Sequence, residues 1–200
     1  MRIILVGASG TIGREVENIL KVSHEVVTAS RSSGTLQVDL ADPDSIDAMY
    51  QQAGSFDALV CTAGSARFGP LAELSYDDYL FSLKNKLMGQ ANLVRLGQRY
   101  INDNGSFTLT SGVLAREPMP GSSAISMVNA GLEGFVQAAQ LELPRGVRVN
   151  VVSPVWVYET LKAMGRDPSA GMPAAMVARA YLAAITGKMR GAVLDVMNYS

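Results

Sequence analysis

Short apolar runs alternate with longer stretches of helical periodicity along the whole chain. Residues 2–6, Arg-Ile-Ile-Leu-Val, form an apolar run that Gly7 ends. Such a run reads as a strand buried on both faces of a parallel sheet. From Ile12 onward, Ile12, Val16, Ile19 and Leu20 share one helical face. A second strand is predicted over 25–29 and a short third over 36–38. Pro43 opens a helix through Tyr50, with Asp42 as its N-cap. There follow a strand at 58–61, a long helix from 77 to about 100, and a strand at 106–109. A second long helix at 123–143 stops near Pro144, before a strand at 147–152, a helix from 173 to about 185 and a last strand at 192–196. Only 165–173, rich in Gly, Pro and Ser, reads as loop. This alternation predicts an α/β fold: a single-domain, Rossmann-type, doubly wound parallel sheet of about seven strands over 1–200. Helices cover both faces, and the expected strand order is 3-2-1-4-5-6-7.

Composition narrows the function classes. Hydrophobic residues make up 48% of the 200 positions and charged residues 18%, which supports one packed core rather than disorder. The net charge of -1 gives no overall basic field to hold nucleic acid or an acidic membrane. One cysteine, Cys61, and one histidine, His24, leave no disulfide within the chain and no Cys/His metal site. Cys61 reads as a small buried hydrophobe and His24 as a turn residue. The apolar run at 2–6 is too short for a signal segment or a membrane span, so a cytoplasmic protein is expected.

The candidate chemistry begins at Gly7-Ala8-Ser9-Gly10-Thr11-Ile12-Gly13, which follows a strand and opens a helix. Glycines at this spacing allow a tight turn, close approach of backbone to a pyrophosphate, and close helix–strand packing. The free N–H groups of the helix N-terminus then hold the phosphates. After the second strand stand Ser30, Arg31 and Ser32, with no acid to accept from a ribose 2′-OH. Arg31 and its flanking serines suit a 2′-phosphate instead, which points to NADP(H); the competing reading of Arg31 is a solvated loop residue.

With these motifs the chain resembles the short-chain dehydrogenase/reductase superfamily over nearly its whole length. Val38-Asp39-Leu40 looks like the family segment that contacts adenine, and Thr62-Ala63-Gly64 like the tail of its Asn-Asn-Ala-Gly motif. Arg148 to Pro154 resembles the sixth strand and the proline beside the nicotinamide, and Gly191 to Val196 the last strand. The resemblance implies adenine contacts from Asp39 and Leu40 and further cofactor contacts from Ala63, Gly64 and Pro154. It also implies a small-molecule carbonyl or alcohol substrate, and a homodimer or homotetramer built from helices 77–100 and 123–143. On the second helix Ile125, Val128, Leu132, Phe135, Val136 and Ala139 form an apolar stripe wide enough for sheet and partner.

The family's active-site pattern is altered. Alignment on Gly134 puts Ile125 at the catalytic Tyr and Asn129 at the Lys, Gly112 at the Ser with Ser111 one residue early, and Lys86 at the helical Asn, next to Asn85. Ile125 has no exchangeable proton, so the family's Tyr mechanism is closed to this chain. Lys86 and Ser111 are the remaining catalytic candidates. Lys86 can polarise a carbonyl or donate a proton, or else snorkel to solvent. Ser111 can bond a substrate oxygen, or else backbone. Trp156 and Tyr158 line the substrate pocket or pack beneath the loop, and the short 154–173 segment implies an open site or one completed by a partner. Two readings stay open: an NADP(H)-dependent oxidoreductase with a non-standard proton donor, and a catalytically degenerate dinucleotide-binding protein acting as sensor or partner subunit.

Overall fold

The computed structural model describes residues 1–199. Seven parallel strands form one sheet: β1 (Arg2–Val6), β2 (Glu25–Ser30), β3 (Leu36–Gln37), β4 (Phe56–Cys61), β5 (Ile101–Thr110), β6 (Arg148–Ser153) and β7 (Val193–Asp195). Their order is β3-β2-β1-β4-β5-β6-β7, a doubly wound Rossmann-type α/β fold. The central strands are buried on both faces, as their unbroken apolar runs require. One face carries the core of Ile4, Tyr50, Phe56, Leu93 and Phe107, and the other the core of Ile3, Leu5, Val60, Val177 and Tyr181. Among the described residues no helix is long and apolar enough to cross a membrane.

The connections place the site. α1 (Thr11–Leu20) and α7 (Ala174–Thr186) cover one face; α2 (Pro43–Ala53), α4 (Gly89–Gly97) and α5 (Ser123–Gln140) cover the other. Asp42 caps α2, its side chain accepting from the Asp44 N–H at 3.0 Å. The helix expected at 77–100 is present over 76–97 but is not α-helical throughout. α3 (Tyr76–Ser82) passes into a π-helical turn, Leu83–Met88, before α4 begins. A π turn carries one extra residue and re-aims the side chains around it. β5 starts five residues before the expected strand, and α5 stops at Gln140 rather than 143. The segment expected to be loop forms a single 3-10 turn, Pro168–Ala170, after a short helix α6 (Tyr158–Ala163). β7 keeps only three residues, since 196–199 curl into a 3-10 turn.

Candidate cofactor and active site

The chain turns at Gly7 directly off β1. Its φ of +92° and the crowding there both demand glycine: a Cβ would lie 2.9 Å from the Ala63 N and Cβ. At Gly13 a Cβ would run into the Gly7 carbonyl oxygen, so α1 packs tightly on the turn. Gly10 caps α1 without a side-chain bond, and the first turn holds no acid. The N–H groups and positive dipole end of α1 are therefore free to meet an anion.

A cavity of about 290 Å³ opens beside this turn. Gly7, Ser9, Gly10, Ser30 and Arg31 line one side, and Val38, Leu40, Ala63 and Gly64 the other. Six of the residues expected here do not line it, and two of those, Ile12 and Pro154, line the second cavity described below. Thr11 and Gly13 sit behind the turn, and Ser32 is exposed, lining neither this cavity nor the next. Ser33 replaces it: with Arg14, Ser30 and Thr28 it lines a smaller cavity of about 230 Å³ that shares Ser9. Asp39 does not line the cavity; its carboxylate accepts from the Ala41 N–H at 2.9 Å and so fixes the turn into α2.

Thr62 belongs both to this cavity and to a second, of about 270 Å³, at the carboxyl ends of β4, β5 and β6. Ile12 enters the second cavity rather than the first. Its floor is Lys86, Thr110, Ser111 and Gly112; α5 contributes Ile125 and Asn129, and the chain after β6 contributes Pro154, Val155, Trp156 and Val157. Tyr158, by contrast, is exposed and lines no part of it. The segment after β6 is pinned rather than loose. Tyr158 N–H donates to the Met172 carbonyl at 2.9 Å and Met172 N–H to the Trp156 carbonyl at 2.8 Å.

Lys86 lies in the π turn and is buried, only 8% exposed. Its Nζ donates to the Ser111 carbonyl oxygen at 3.1 Å. Burial pulls the ammonium down to about 8. No carboxylate pairs with it among the described residues. Its neighbour Cys61 is no counter-ion, because burial pushes that thiol up to about 12.

Ser111 contributes its carbonyl, not its hydroxyl. The hydroxyl donates to Glu133 Oε1 at 3.0 Å, and Glu133 Oε2 lies 3.9 Å from Arg116 Nε. Arg116 in turn donates to Ser153 Oγ at 3.1 Å, tying the end of β6 to the same cluster. Asn129 is 1% exposed; its Nδ2 reaches the Gly112 carbonyl at 3.4 Å, while its Oδ1 has no partner. Asn85 bonds the Phe81 carbonyl at 3.0 Å and lines the first cavity. Gln90 clamps the end of β5: Nε2 donates to the Thr110 carbonyl at 2.9 Å and Oε1 accepts from the Thr110 N–H at 2.8 Å. Sequence reasoning passed over Gln90 and Glu133. The available signal was spacing: Glu133 stands four residues after Asn129 and Gln90 four after Lys86, each on the same helical face.

The comparisons with known proteins agree with this architecture. A family model described as Enoyl-(Acyl carrier protein) reductase matches residues 12–190. The solved structure of the protein lin1944 from Listeria innocua is 41% identical and superposes with a TM-score of 0.95, covering 98% of this chain and 99% of that one. A small-chain dehydrogenase solved in complex with NADPH is 28% identical, with a TM-score of 0.86 over 98% of this chain and 95% of that one. Hydroxynaphthalene reductase arp2 of Aspergillus fumigatus is 26% identical over 160 residues, 76% of this chain and 58% of that protein. The chain spans a little over half the length of the first curated relatives it matches. A seven-stranded sheet in the order 3-2-1-4-5-6-7, a glycine turn at the head of α1 and a family match over most of the sequence together mean that the chain belongs to the short-chain dehydrogenase/reductase superfamily.

Proposed function

We propose that this protein is an NADP(H)-dependent oxidoreductase that interconverts the carbonyl and alcohol of a small molecule, with Lys86 standing in for the family's Tyr. The observation that carries the reading is a pair of neighbouring cavities that share Thr62 as a wall, with an anion-ready helix end in the first and a buried lysine in the second. The residues fit the dinucleotide. Gly7 and Gly10 leave backbone open to the pyrophosphate, Arg31 and Ser30 suit a 2′-phosphate, and the unpartnered Asn129 Oδ1 can accept from a ribose hydroxyl. The NADPH complex of a related small-chain dehydrogenase supports the choice of cofactor.

Bound there, NADPH supplies the hydride for a carbonyl carbon. Lys86 polarises the carbonyl oxygen and delivers its own proton to that oxygen, leaving a neutral amine that solvent reprotonates. Asn129 orients, the apolar walls of Ile125, Val155 and Trp156 exclude water, and Glu133 holds Ser111 so that its carbonyl keeps Lys86 in place. Ile125, at the family's Tyr position, favours the second reading, a dinucleotide-binding sensor or partner subunit without turnover. Self-association through α4 and α5 belongs to both readings.

Titration with NADPH and NADH, followed by a screen of ketones and alcohols for absorbance change of the nicotinamide, separates the two. Turnover that depends on Lys86 establishes the enzyme. NADPH binding with no turnover on a broad panel establishes the second reading, and no binding of either dinucleotide rejects both.

A further inference from the structure

The second cavity holds one charged side chain, Lys86, and no opposite charge meets it among the described residues. An ammonium carries three N–H donors. One goes to the Ser111 carbonyl. Two are left for whatever enters the cavity. The other polar side chains that line it, Thr62, Thr110, Ser111, Asn129 and Thr160, are neutral, and Ile125, Val155 and Trp156 give it an apolar wall. Removing a cation from water without a counter-ion is costly, and a neutral carbonyl offsets little of that cost. A carboxylate offsets far more, through charge-assisted hydrogen bonds in a low-dielectric setting.

We infer that the substrate is a small 2-oxo acid with an apolar side chain, or the matching 2-hydroxy acid, and that its carboxylate and its reacting oxygen share the two free N–H groups of Lys86. In a 2-oxo acid those oxygens sit on adjacent carbons, so one ammonium reaches both. A carboxylate placed farther from the carbonyl would not share one ammonium with it, and among the described residues no second cation lines the cavity to hold it. The apolar wall then receives the rest of the molecule. At about 270 Å³ the cavity lies below the usual range for drug-sized ligands, roughly 300–1,000 Å³, which sets the substrate as small.

The anion also changes Lys86. An opposite charge favours the protonated form, so binding raises the depressed ammonium and takes up a proton. The other titratable groups facing the pair do not compete. Cys61 on β4 remains a thiol, Tyr181 on α7 is a phenol held up by burial and bonded to Thr110, and Glu133 on α5 is engaged by Ser111 and Arg116.

The inference rests on the proposed location of the site, but its test does not need turnover. Benzoylformate, its neutral methyl ester, and benzoate, which lacks the keto oxygen, are titrated calorimetrically into the full chain, with and without NADP+. At about pH 7, benzoylformate is expected to bind about 10- to 100-fold tighter than the ester. It is also expected to bind tighter than benzoate. Lys86→Met should abolish the preference over the ester. In the wild type, at about pH 8.5, titrations in two buffers of different ionisation enthalpy should show proton uptake, a readout that needs no variant. Equal binding of acid and ester, no measurable binding of benzoylformate, no proton uptake, or a preference that survives in Lys86→Met overturns the inference. Equal binding of benzoate and benzoylformate overturns the assignment of a 2-oxo acid. Failure of NADPH to bind while benzoylformate binds as expected would reject the cofactor reading and leave this one standing.

Discussion

Burial of Lys86 beside a neutral carbonyl acts on stability and on reactivity in opposite directions. Its folded value of about 8 lies below the ordinary lysine value of 10.5. Between those values the unfolded chain binds the proton and the folded chain does not, so stability rises with pH across that window. Below about pH 8 the full penalty applies, on the order of 3 kcal/mol. Lys86→Met keeps the apolar stem and removes the charge. It should raise the urea midpoint at about pH 7, with a gain on the order of 1–3 kcal/mol that vanishes toward pH 10.5. A lower midpoint at neutral pH would refute this. Reactivity runs the other way: the same variant should lose about 10²–10³ in kcat for reduction while NADPH affinity is retained. Wild-type kcat/KM for reduction should fall as pH rises through about 8, because the free protein has then lost the proton to be donated. Residue identity at the site was legible where backbone geometry dictates it, as at Gly7 and Gly13. The side-chain partners were not. That Ser111 turns to Glu133 while its carbonyl turns to Lys86 depends on contacts across 22 and 25 residues of sequence.

The π turn at Leu83–Met88 explains why one element escaped the hydrophobic pattern. Apolar spacing on both sides of it is helical, so a reading by periodicity joins α3 to α4. The extra residue leaves no mark in composition, yet it lies in the stretch that brings Lys86 onto the cavity floor. Gln90, in the first turn of α4, then fixes that stretch against the sheet through both backbone groups of Thr110. Gln90→Leu leaves a buried N–H and a buried C=O unpaired, at about 1–3 kcal/mol each. The expected outcome is a loss of about 2–6 kcal/mol in chemical denaturation. Hydride transfer should slow as well, since Ser111, the acceptor for Lys86, follows Thr110 directly. A variant with unchanged stability would show that water takes over the two bonds. At the carboxyl end of β1, Gly13→Ala should disrupt the packing of α1 on Gly7 and abolish dinucleotide binding, as read by NADPH fluorescence.

At the scale of the whole molecule, the strand order followed from the alternation of elements, because right-handed crossovers leave few ways to wind a parallel sheet. The outer face of the helices was harder to read. The apolar stripe on α5 divides into three parts. Val128, Leu132 and Val136 are buried in the core, Ile125 lines the second cavity, and Phe135 and Ala139 line an outward groove of about 320 Å³. Val94 and Arg95 of α4 form the other wall of the groove, and Glu142 and Leu143 extend it. Periodicity cannot separate these roles, since a helix turning 100° per residue shows the same pattern whether its flank meets a cavity, a sheet or a second copy. A two-fold axis along this groove would set each Phe135 against its counterpart, the self-complementary arrangement that a symmetric dimer requires. We therefore expect a dimer or tetramer by sedimentation at micromolar concentration, and a monomer with Ala139→Glu, which puts a charge on the groove wall. NADPH binding should survive in that monomer, because none of the groove residues lines the Gly7 cavity. A wild-type monomer at micromolar concentration would remove self-association from the proposal, and loss of NADPH binding with dimerisation intact would mean that α5 acts on the cleft through the core instead.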